Sequence, residues 1–579
     1  MMNYVSILKK NGELENTLSG NPYKITVLSN ISIHQIKEVL EYTIRKQGVL
    51  AQVTIGNYDN LVQDSVTCKN NNLVIIFWEI CNMIESFQFK IGLLSKKEIE
   101  TLIKKIKLEI DIVFQNLRDS PLVLINKLTP IKVEHLTMLD DKVNNVVTVL
   151  NNYILKSLNK NMKVVDLDLI LASVGIHNSR NFKHFYLSKM LYTVNFLKAY
   201  SNYILPFILA VNGKAKKVLI FDCDNTLWKG ILGEDGIENI QLSAKTKDGL
   251  IFSEVQTLAK TLARMGVMIG ICSKNNLKDV QDVLKNHPDM ILKESDIVIN
   301  KSNWKDKVEN LKEISKELNV GLDSLVFVDD SSFEINLIKD LLPDVTTLQV
   351  PSQLHEYPGM IYKSISLFYK ESSTKEDKHK TQLYKQEVTR SFQKKKYPSI
   401  DDYLASLKLK ITIYKDKKND IARVAQLTQK TNQFNLTTKR YTESDIARFL
   451  QDEFYQVFSF SVSDKIGDYG IVAVCIMSLN SNKTIATIDS FLMSCRVIGR
   501  RIEYSFINYL LEECKKQSII ELKASYIQTK KNALVLNFYD ECSFLLNKEE
   551  NLIKYYNAKI QHIKTHKISF IDVYEELND

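Results

Sequence analysis

Residues 216–228 read KKVLIFDCDNTLW, an apolar run that stops on Asp222, Asp224 and Thr226 at alternate positions. A short apolar run with polar flanks reads as a buried strand. In an open parallel sheet, ligands bind beyond the carboxyl ends of the strands. The same construction recurs twice: GVMIGICS (266–273) leads into Ser273-Lys274-Asn275, and SLVFVDD (324–330) ends on Asp329-Asp330. Helical patterns lie between, LIFSEVQTLAKTLARMG (250–266) and DKVENLKEISKELN (306–319), and DVTTLQV (344–350) adds another strand. Strands alternating with helices build a parallel sheet, so the three polar strand ends are expected to converge. A lysine ahead of the third strand, Lys307 or Lys305, is placed to join them.

The chemistry of such a cluster is readable. Asp222, Asp224 and Asp329 or Asp330 would crowd carboxylates that repel one another unless a cation is present. An all-oxygen donor set points to Mg²⁺, which keeps waters and bridges to a substrate phosphate. One carboxylate can attack phosphorus and form an aspartyl-phosphate. The Ser273 hydroxyl and a lysine ammonium would hold the phosphoryl oxygens as charge develops. Asp166-Leu-Asp168 also follows an apolar run, but Ile170 stands where a threonine would be and no second acidic strand end follows. That pair reads as structural.

At 579 residues the chain is long enough for three or four domains, taking about 150 residues each. Hydrophobic residues at 45% and charged residues at 25% exclude a disordered or fibrous chain, and 18 Gly with 9 Pro leave little for flexible linkers. The net charge of +9, from 77 basic and 68 acidic residues, forms no basic stripe interleaved with aromatics. Nucleic acid is therefore not an expected partner, while a mild positive field suits a small anion or an acidic protein. Eight scattered cysteines without a CxxC pair fit neither a disulfide framework nor a zinc site. The first residues lack the apolar core of a signal peptide. Apolar runs such as Leu73–Trp78 and Ile204–Val211 are too short to span a bilayer. The expectation is a soluble, cytoplasmic protein with no membrane partner.

Four regions follow. Residues 1–205 alternate apolar runs (24–28, 51–55, 73–78, 121–125, 163–167) with amphipathic segments, an α/β domain. Residues 213–368 hold the second α/β unit. Residues 369–399 are densely charged without glycine and read as a helical connector. Residues 400–579 place strands at 409–414, 469–479 and 486–494 beside helices at 420–431 and 502–516, an α+β layer.

FDCDNTLWKGILGEDG (221–236), ICSKNN (271–276), the lysine of NWKDK (303–307) and VFVDD (326–330) resemble the four motifs of the haloacid dehalogenase (HAD) superfamily. DNTLWKGILGEDG is closer still to the HAD-IIIC subfamily and the FkbH-like proteins of polyketide pathways. The resemblance implies a HAD-type Rossmann-like sheet at the centre. It implies Asp222 as nucleophile and Asp224 as general acid/base. Thr226, Ser273, Lys274, Asn275 and Lys307 would surround the phosphate. Mg²⁺ would be held by Asp222, the Asp224 backbone carbonyl and Asp329, with Asp330 beside them. Neither the stretch after Thr226 nor that between Ser273 and Lys307 has room for a large cap domain. FkbH-like proteins are associated with taking a glyceryl unit from 1,3-bisphosphoglycerate, dropping phosphate, and passing glyceryl to the phosphopantetheine thiol of an acyl carrier protein. A cysteine thioester carries the acyl group on the way. Cys223, between the aspartates, is the expected carrier and Cys495 the other candidate. A small buried filler is the competing reading of Cys223, whose thiolate would face carboxylates unless Mg²⁺ and Lys307 compensate. Cys272 reads as core.

TQKTNQFNLTTKRY (428–441), GDYGIV (467–472) and SFLMSCRVIGRRIE (490–503) resemble the FkbH-like tail, which is related to GNAT acyltransferases. Arg496, Gly499 and Arg500 then fall in a loop that grips pyrophosphate in that fold, here a candidate for a pantetheine arm or the donor's phosphate. Arg501 stands where the pattern has a small residue, which counts against coenzyme A. Asn532 and Tyr539 sit at the fold's late Asn and Tyr. The N-terminal domain corresponds in position to a degenerate SGNH-hydrolase-like domain: VLSNIS (27–32) lacks the preceding Gly-Asp, and Asn181 stands three residues before His184. It is expected to be non-catalytic. The alternative to glyceryl transfer is a HAD-IIIC phosphatase or phosphotransferase on another phosphorylated metabolite; a carrier-binding scaffold is the third reading.

Overall fold

The computed structural model describes residues 3–576 except 86, 131–136, 370–396, 530 and 564. Most of the charged connector expected at 369–399 therefore lies outside the described residues. The chain divides into two compact units, Met1–Ile208 with Tyr441–Arg448, and Leu209–Arg440 with Phe449–Asp579.

In the first unit five short strands form one sheet: β1 (Tyr23–Ser29), β2 (Ala51–Ile55), β3 (Leu73–Phe77), β4 (Val123–Asn126) and β5 (Met162–Val165). The order β2-β1-β3-β4-β5 is parallel throughout. Every residue of β3 is buried, as expected of a central strand covered on both faces. The helix Val194–Val211 is long and apolar enough to cross a membrane by length and composition. It extends the Ile204–Val211 run by ten residues beyond what hydropathy alone outlines. Its Phe196, Tyr200 and Ile204 are nonetheless buried in the unit's core, with Phe196 stacked on Tyr192 at 4.0 Å.

In the second unit β6 (Val218–Phe221), β7 (Met268–Ser273), β8 (Ile297–Ser302), β9 (Leu325–Asp329) and β10 (Thr346–Gln349) give a parallel sheet in the order β10-β9-β6-β7-β8. β6, β7 and β9 are buried along their whole length, which puts them at the centre. The edge strand β8 was not legible from sequence, because three apolar residues give way at once to Asn300-Lys301-Ser302. Helices Lys247–Arg264, Lys307–Glu317 and Ser332–Leu341 cross between the strands.

The remainder of this unit holds a nine-stranded mixed sheet. Its members are β11 (Leu409–Lys415), β12 (Phe434–Asn435), β13 (Tyr455–Asp464), β14 (Gly467–Leu479), β15 (Ile485–Met493), β16 (Glu521–Ile527), β17 (Leu545–Glu550), β18 (Ile553–Lys559) and β19 (Ile571–Glu576). β14 and β15 pair antiparallel, whereas β15 runs parallel to β16 and β11 to β19. The helix Ile502–Lys516 lays Phe506, Leu510 and Cys514 into this sheet's core.

Candidate active site

β6, β7 and β9 lie side by side, so their carboxyl ends deliver Asp222, Ser273 and Asp329 to one edge of the sheet. The turn leaving β6 is wound tightly. Thr226 and Leu227 donate their amides to the Cys223 carbonyl at 3.1 and 2.7 Å, and Asn225 sits at φ +51°. Asparagine tolerates that left-handed conformation better than most side chains. Two buried groups hold the turn from outside: Tyr357 Oη donates to the Thr226 carbonyl at 3.0 Å and Gln256 Nε2 to that of Leu227 at 2.8 Å.

Carboxylate oxygens of Asp222, Asp329 and Asp330 come within 4.8 Å of one another. Lys307, first residue of its helix, places Nζ 2.7 Å from Asp329 and 3.1 Å from Asp222. Asp306 caps that helix by accepting from the Val308 amide at 2.6 Å, which fixes where Lys307 emerges. Lys305, the alternative in the sequence, is exposed and bonds Glu313 at 3.0 Å instead.

Burial raises the pKa of Asp222, with Lys307 opposing and Asp329 adding to the rise. Asp329 and Asp330 are likewise pushed up, chiefly by burial. Burial works against the Lys307 charge, yet Asp222 and Asp329 together hold its pKa above the ordinary lysine value. The cluster thus lacks positive charge relative to its carboxylates, and its donors are hard oxygens. Both properties fit a divalent cation of the Mg²⁺ type.

The other expected residues separate by role. Ser273 is 1% exposed and lies within reach of Asp222; Asn275 Nδ2 bridges the Ser273 hydroxyl at 3.1 Å and an Asp224 oxygen at 2.9 Å. Asp224 also accepts from Trp228 Nε1 at 3.0 Å and the Leu232 amide at 3.1 Å. Its carboxylate therefore stands outside the three-aspartate group. Lys274 pairs with Glu334, in the first turn of the helix after β9, at 2.6 Å. Thr226 is fully buried, its hydroxyl without a hydrogen-bond partner among the described residues.

Cys223, the expected acyl carrier, has no surface open to solvent. It is fully buried among Leu227, Trp228 and Phe252, and burial first, then Asp222, push its thiol pKa well up. That is the filler reading of the position. Cys495 alone of the eight cysteines is half-buried, the others being buried. It lines a cavity of about 320 Å³ together with Lys217, Arg496 and Lys531.

In the Arg496–Arg501 loop the three arginines part company. Arg496 lines the cavity. Arg500 lies over the Tyr469 ring at 4.6 Å and 4.0 Å from Asp464, a buried structural position rather than a ligand-facing one. Arg501, at φ +61°, pairs with Asp401 at 2.8 Å. Gly499 has φ +80°, so it turns the chain, and open space surrounds it. Asn532 uses its amide inside the fold, accepting from the Thr529 amide at 2.7 Å and donating to the Asn435 and Ile527 carbonyls at 2.9 Å. Tyr539 is buried, with its hydroxyl pKa pushed well up by burial.

In the first unit no Ser–His–Asp arrangement forms among the described residues. Ser29 Oγ accepts from the Ile31 amide at 3.2 Å, and His184 is exposed on a short helix capped by Asn181. Asp166 caps the helix Leu167–Val174, and Asp168 bonds Lys127 at 2.7 Å, so this acidic pair is structural as expected.

No family model matches the chain, and no curated protein matches it. Among solved structures, the chain resembles the N-terminal part of protein BF1531 from Bacteroides fragilis, which contains a phosphatase domain and was crystallised with Mg. The likeness has 24% identity and a TM-score of 0.56, and spans 64% of this chain and all of that one. At that identity it shows a shared fold. Two acetyltransferases also match over 26% of this chain: Ard1 from Thermoplasma volcanium at 17% identity, and the ribosomal-protein-S18-alanine N-acetyltransferase from Escherichia coli at 16%, each with a TM-score of 0.21. They cover 97% and 94% of those proteins.

Proposed function

We propose that the chain is a Mg²⁺-dependent phosphatase of the HAD type that also transfers an acyl group, taking glyceryl from 1,3-bisphosphoglycerate to the phosphopantetheine thiol of an acyl carrier protein. The observation that carries it is the convergence of Asp222, Asp329 and Asp330 with Lys307 and Ser273 at the carboxyl end of a parallel sheet. The donor and the carrier protein come from the resemblance to FkbH-like proteins.

In the phosphatase half-reaction, an Asp222 oxygen attacks phosphorus and the ester oxygen leaves with its electron pair, taking a proton from Asp224. Water then attacks the aspartyl-phosphate, giving its proton to Asp224 and releasing inorganic phosphate. Asn275, Trp228 and the Leu232 amide hold the Asp224 carboxylate in place. Lys307 neutralises charge on the transferring group. A bound Mg²⁺, held by Asp222, Asp329, Asp330 and the Asp224 carbonyl, would supply further charge neutralisation there.

For acyl transfer, Cys495 takes the role first expected of Cys223. The Cys223 sulfur is fully buried, with no opening for an acyl donor, whereas Cys495 opens on a cavity lined by cations. The test is intact-protein mass spectrometry with Mg²⁺, donor generated in situ and a phosphopantetheinylated carrier. Glyceryl on the carrier and a transient adduct mapping to Cys495 are expected, with Cys495→Ala losing both and Asp222→Asn losing phosphate-ester hydrolysis. Phosphate release with no adduct on either protein would leave a phosphatase of another phosphorylated metabolite.

A further inference from the structure

Of the three tryptophans in the chain, Trp78 and Trp228 are fully buried, whereas Trp304 is 72% exposed. It lies in the loop between β8 and the helix Lys307–Glu317. β8 pairs with β7 so that Ser302 stands opposite Ser273. Trp304 is two residues beyond that pairing and three before Lys307. Three residues of chain reach about 10 Å at most, so the indole belongs to the mouth of the Asp222 site.

The loop that carries it is firmly held. The Asn303 amide donates to the Ser273 carbonyl at 3.0 Å. Asn303 and Asn310 exchange side-chain hydrogen bonds at 3.1 and 3.0 Å, and the Lys305 amide donates to Asn303 Oδ1 at 2.9 Å. Trp304 Nε1 donates to Asn276 Oδ1 at 3.2 Å, just ahead of the helix Leu277–Asn286 that follows β7. The polar edge of the ring is thereby fixed while most of its surface stays in water. Phe333, 69% exposed, stands in the first turn of the helix Ser332–Leu341, four residues after Asp329. That helix runs beside Lys307–Glu317, and packed helices lie about 10 Å apart.

The groups that would meet phosphorus lie deeper. Asp222, Ser273, Lys307 and Asp329 are all buried, so a substrate enters phosphoryl end first and its organic part is left at the mouth. Large apolar side chains gathered in water at a site mark a place where something apolar binds. Aromatic faces take apolar and planar groups by stacking and burial, and a ring already fixed in place loses little freedom in doing so.

Resting on the phosphatase reading above, we propose that Trp304, together with Phe333, sets which phosphate esters the site takes: phosphomonoesters whose organic part carries an apolar or planar group a few bonds from phosphorus. The indole face packs against that group while Asp222, Ser273 and Lys307 meet the phosphoryl end. Trp304 acts on specificity and takes no part in breaking the ester bond.

The test compares two primary alkyl phosphates, ethyl phosphate and 3-phenylpropyl phosphate, with the full-length protein and Mg²⁺. Their leaving alcohols are alike, so a difference in KM at similar kcat reports binding of the group beyond the ester oxygen. The phenylpropyl ester is expected to show a KM several-fold lower. Trp304→Ala is expected to erase most of that ratio, and Trp304→Phe, which keeps an aromatic face, to retain part of it. Equal KM for the two esters, or a ratio that survives Trp304→Ala, would overturn the proposal and leave the phosphatase standing. Hydrolysis of neither ester would strike the phosphatase reading, and binding without turnover then decides the role of the ring. Because Trp78 and Trp228 are fully buried, acrylamide quenching of tryptophan emission reports Trp304. With Mg²⁺ present, 3-phenylpropylphosphonate is expected to reduce that quenching and methylphosphonate to leave it unchanged; the same quenching with either phosphonate would overturn the assignment of the ring.

Discussion

Glu503 enters the helix Ile502–Lys516 in its first turn, where the helix dipole favours a carboxylate. Burial outweighs the dipole: the side chain is 8% exposed, one oxygen has no hydrogen-bond partner, and the pKa is pushed from 4.5 to about 7. Below pH 4.5 the folded and unfolded chains both hold the proton, so nothing is lost. Between 4.5 and 7 the unfolded chain releases it while the folded one keeps it, so stability falls as pH rises through that window. Above 7 the full cost remains, up to about 3 kcal/mol. Glu503→Gln is expected to match the unaltered protein at pH 4 and to exceed it in melting temperature at pH 8; equal melting at both would show that the carboxyl is solvated. This residue gave no sequence signal, since a glutamate in a first helical turn reads as ordinary. The aspartates at 222, 329 and 330 were legible, because three polar strand ends in one parallel sheet can only meet. The difference between the cysteines was not, because it is one of burial: Cys223 lies beside Asp222 yet is sealed, and Cys495 lies far along the chain yet opens on a cavity.

At the scale of elements, Gln256 is the residue whose job periodicity conceals. It occupies the buried face of the helix Lys247–Arg264, where the 3.6-residue pattern asks only for an apolar side chain. Its Nε2 donates to the Leu227 carbonyl at 2.8 Å, and its Oε1 accepts from the Ile291 and Leu292 amides at 2.9 and 3.3 Å. One side chain thus ties the turn that follows β6 to the segment leading into β8. Gln256→Leu keeps the shape and strands three buried backbone groups, a loss of about 2–4 kcal/mol. The expected outcome is a lowered melting temperature together with a fall in the proposed phosphatase activity at temperatures where the variant is still folded. Loss of stability alone would show that the turn after β6 holds its shape without this support. The central strands were legible for the converse reason: β6, β7 and β9 are apolar on both faces. β8 and β10 lie at the edges of that sheet, and partly exposed positions dilute their apolar pattern.

For the whole molecule, the sequence divides residues 213–368 from 400–579 by a charged segment, and apart from Tyr441–Arg448 the two regions fall in one compact unit. What joins them is polar and local. The Lys531–Asp323 pair, the Lys217 bond to the Lys430 carbonyl and the Asn319 bond to the Cys495 carbonyl join loops, short turns and a helix end that lie far apart in the sequence. Such pairings between distant loops leave no periodic trace in a single sequence. They do predict cooperativity. Cys223 and Cys272 are buried in the parallel-sheet region, and Cys475, Cys514 and Cys542 in the mixed-sheet region. During a thermal ramp with pulses of a thiol reagent, both sets are expected to become reactive at one temperature, as groups in one folding unit do. Lys531→Glu puts a second carboxylate against Asp323, replacing attraction with repulsion in a partly buried site. An effect on the order of 1 kcal/mol shifts a domain's midpoint by a few degrees, so the two sets should separate in this variant. Separate labelling temperatures in the unaltered protein would instead mean that the two regions fold independently, and that the cavity beside Cys495 opens and closes with their docking.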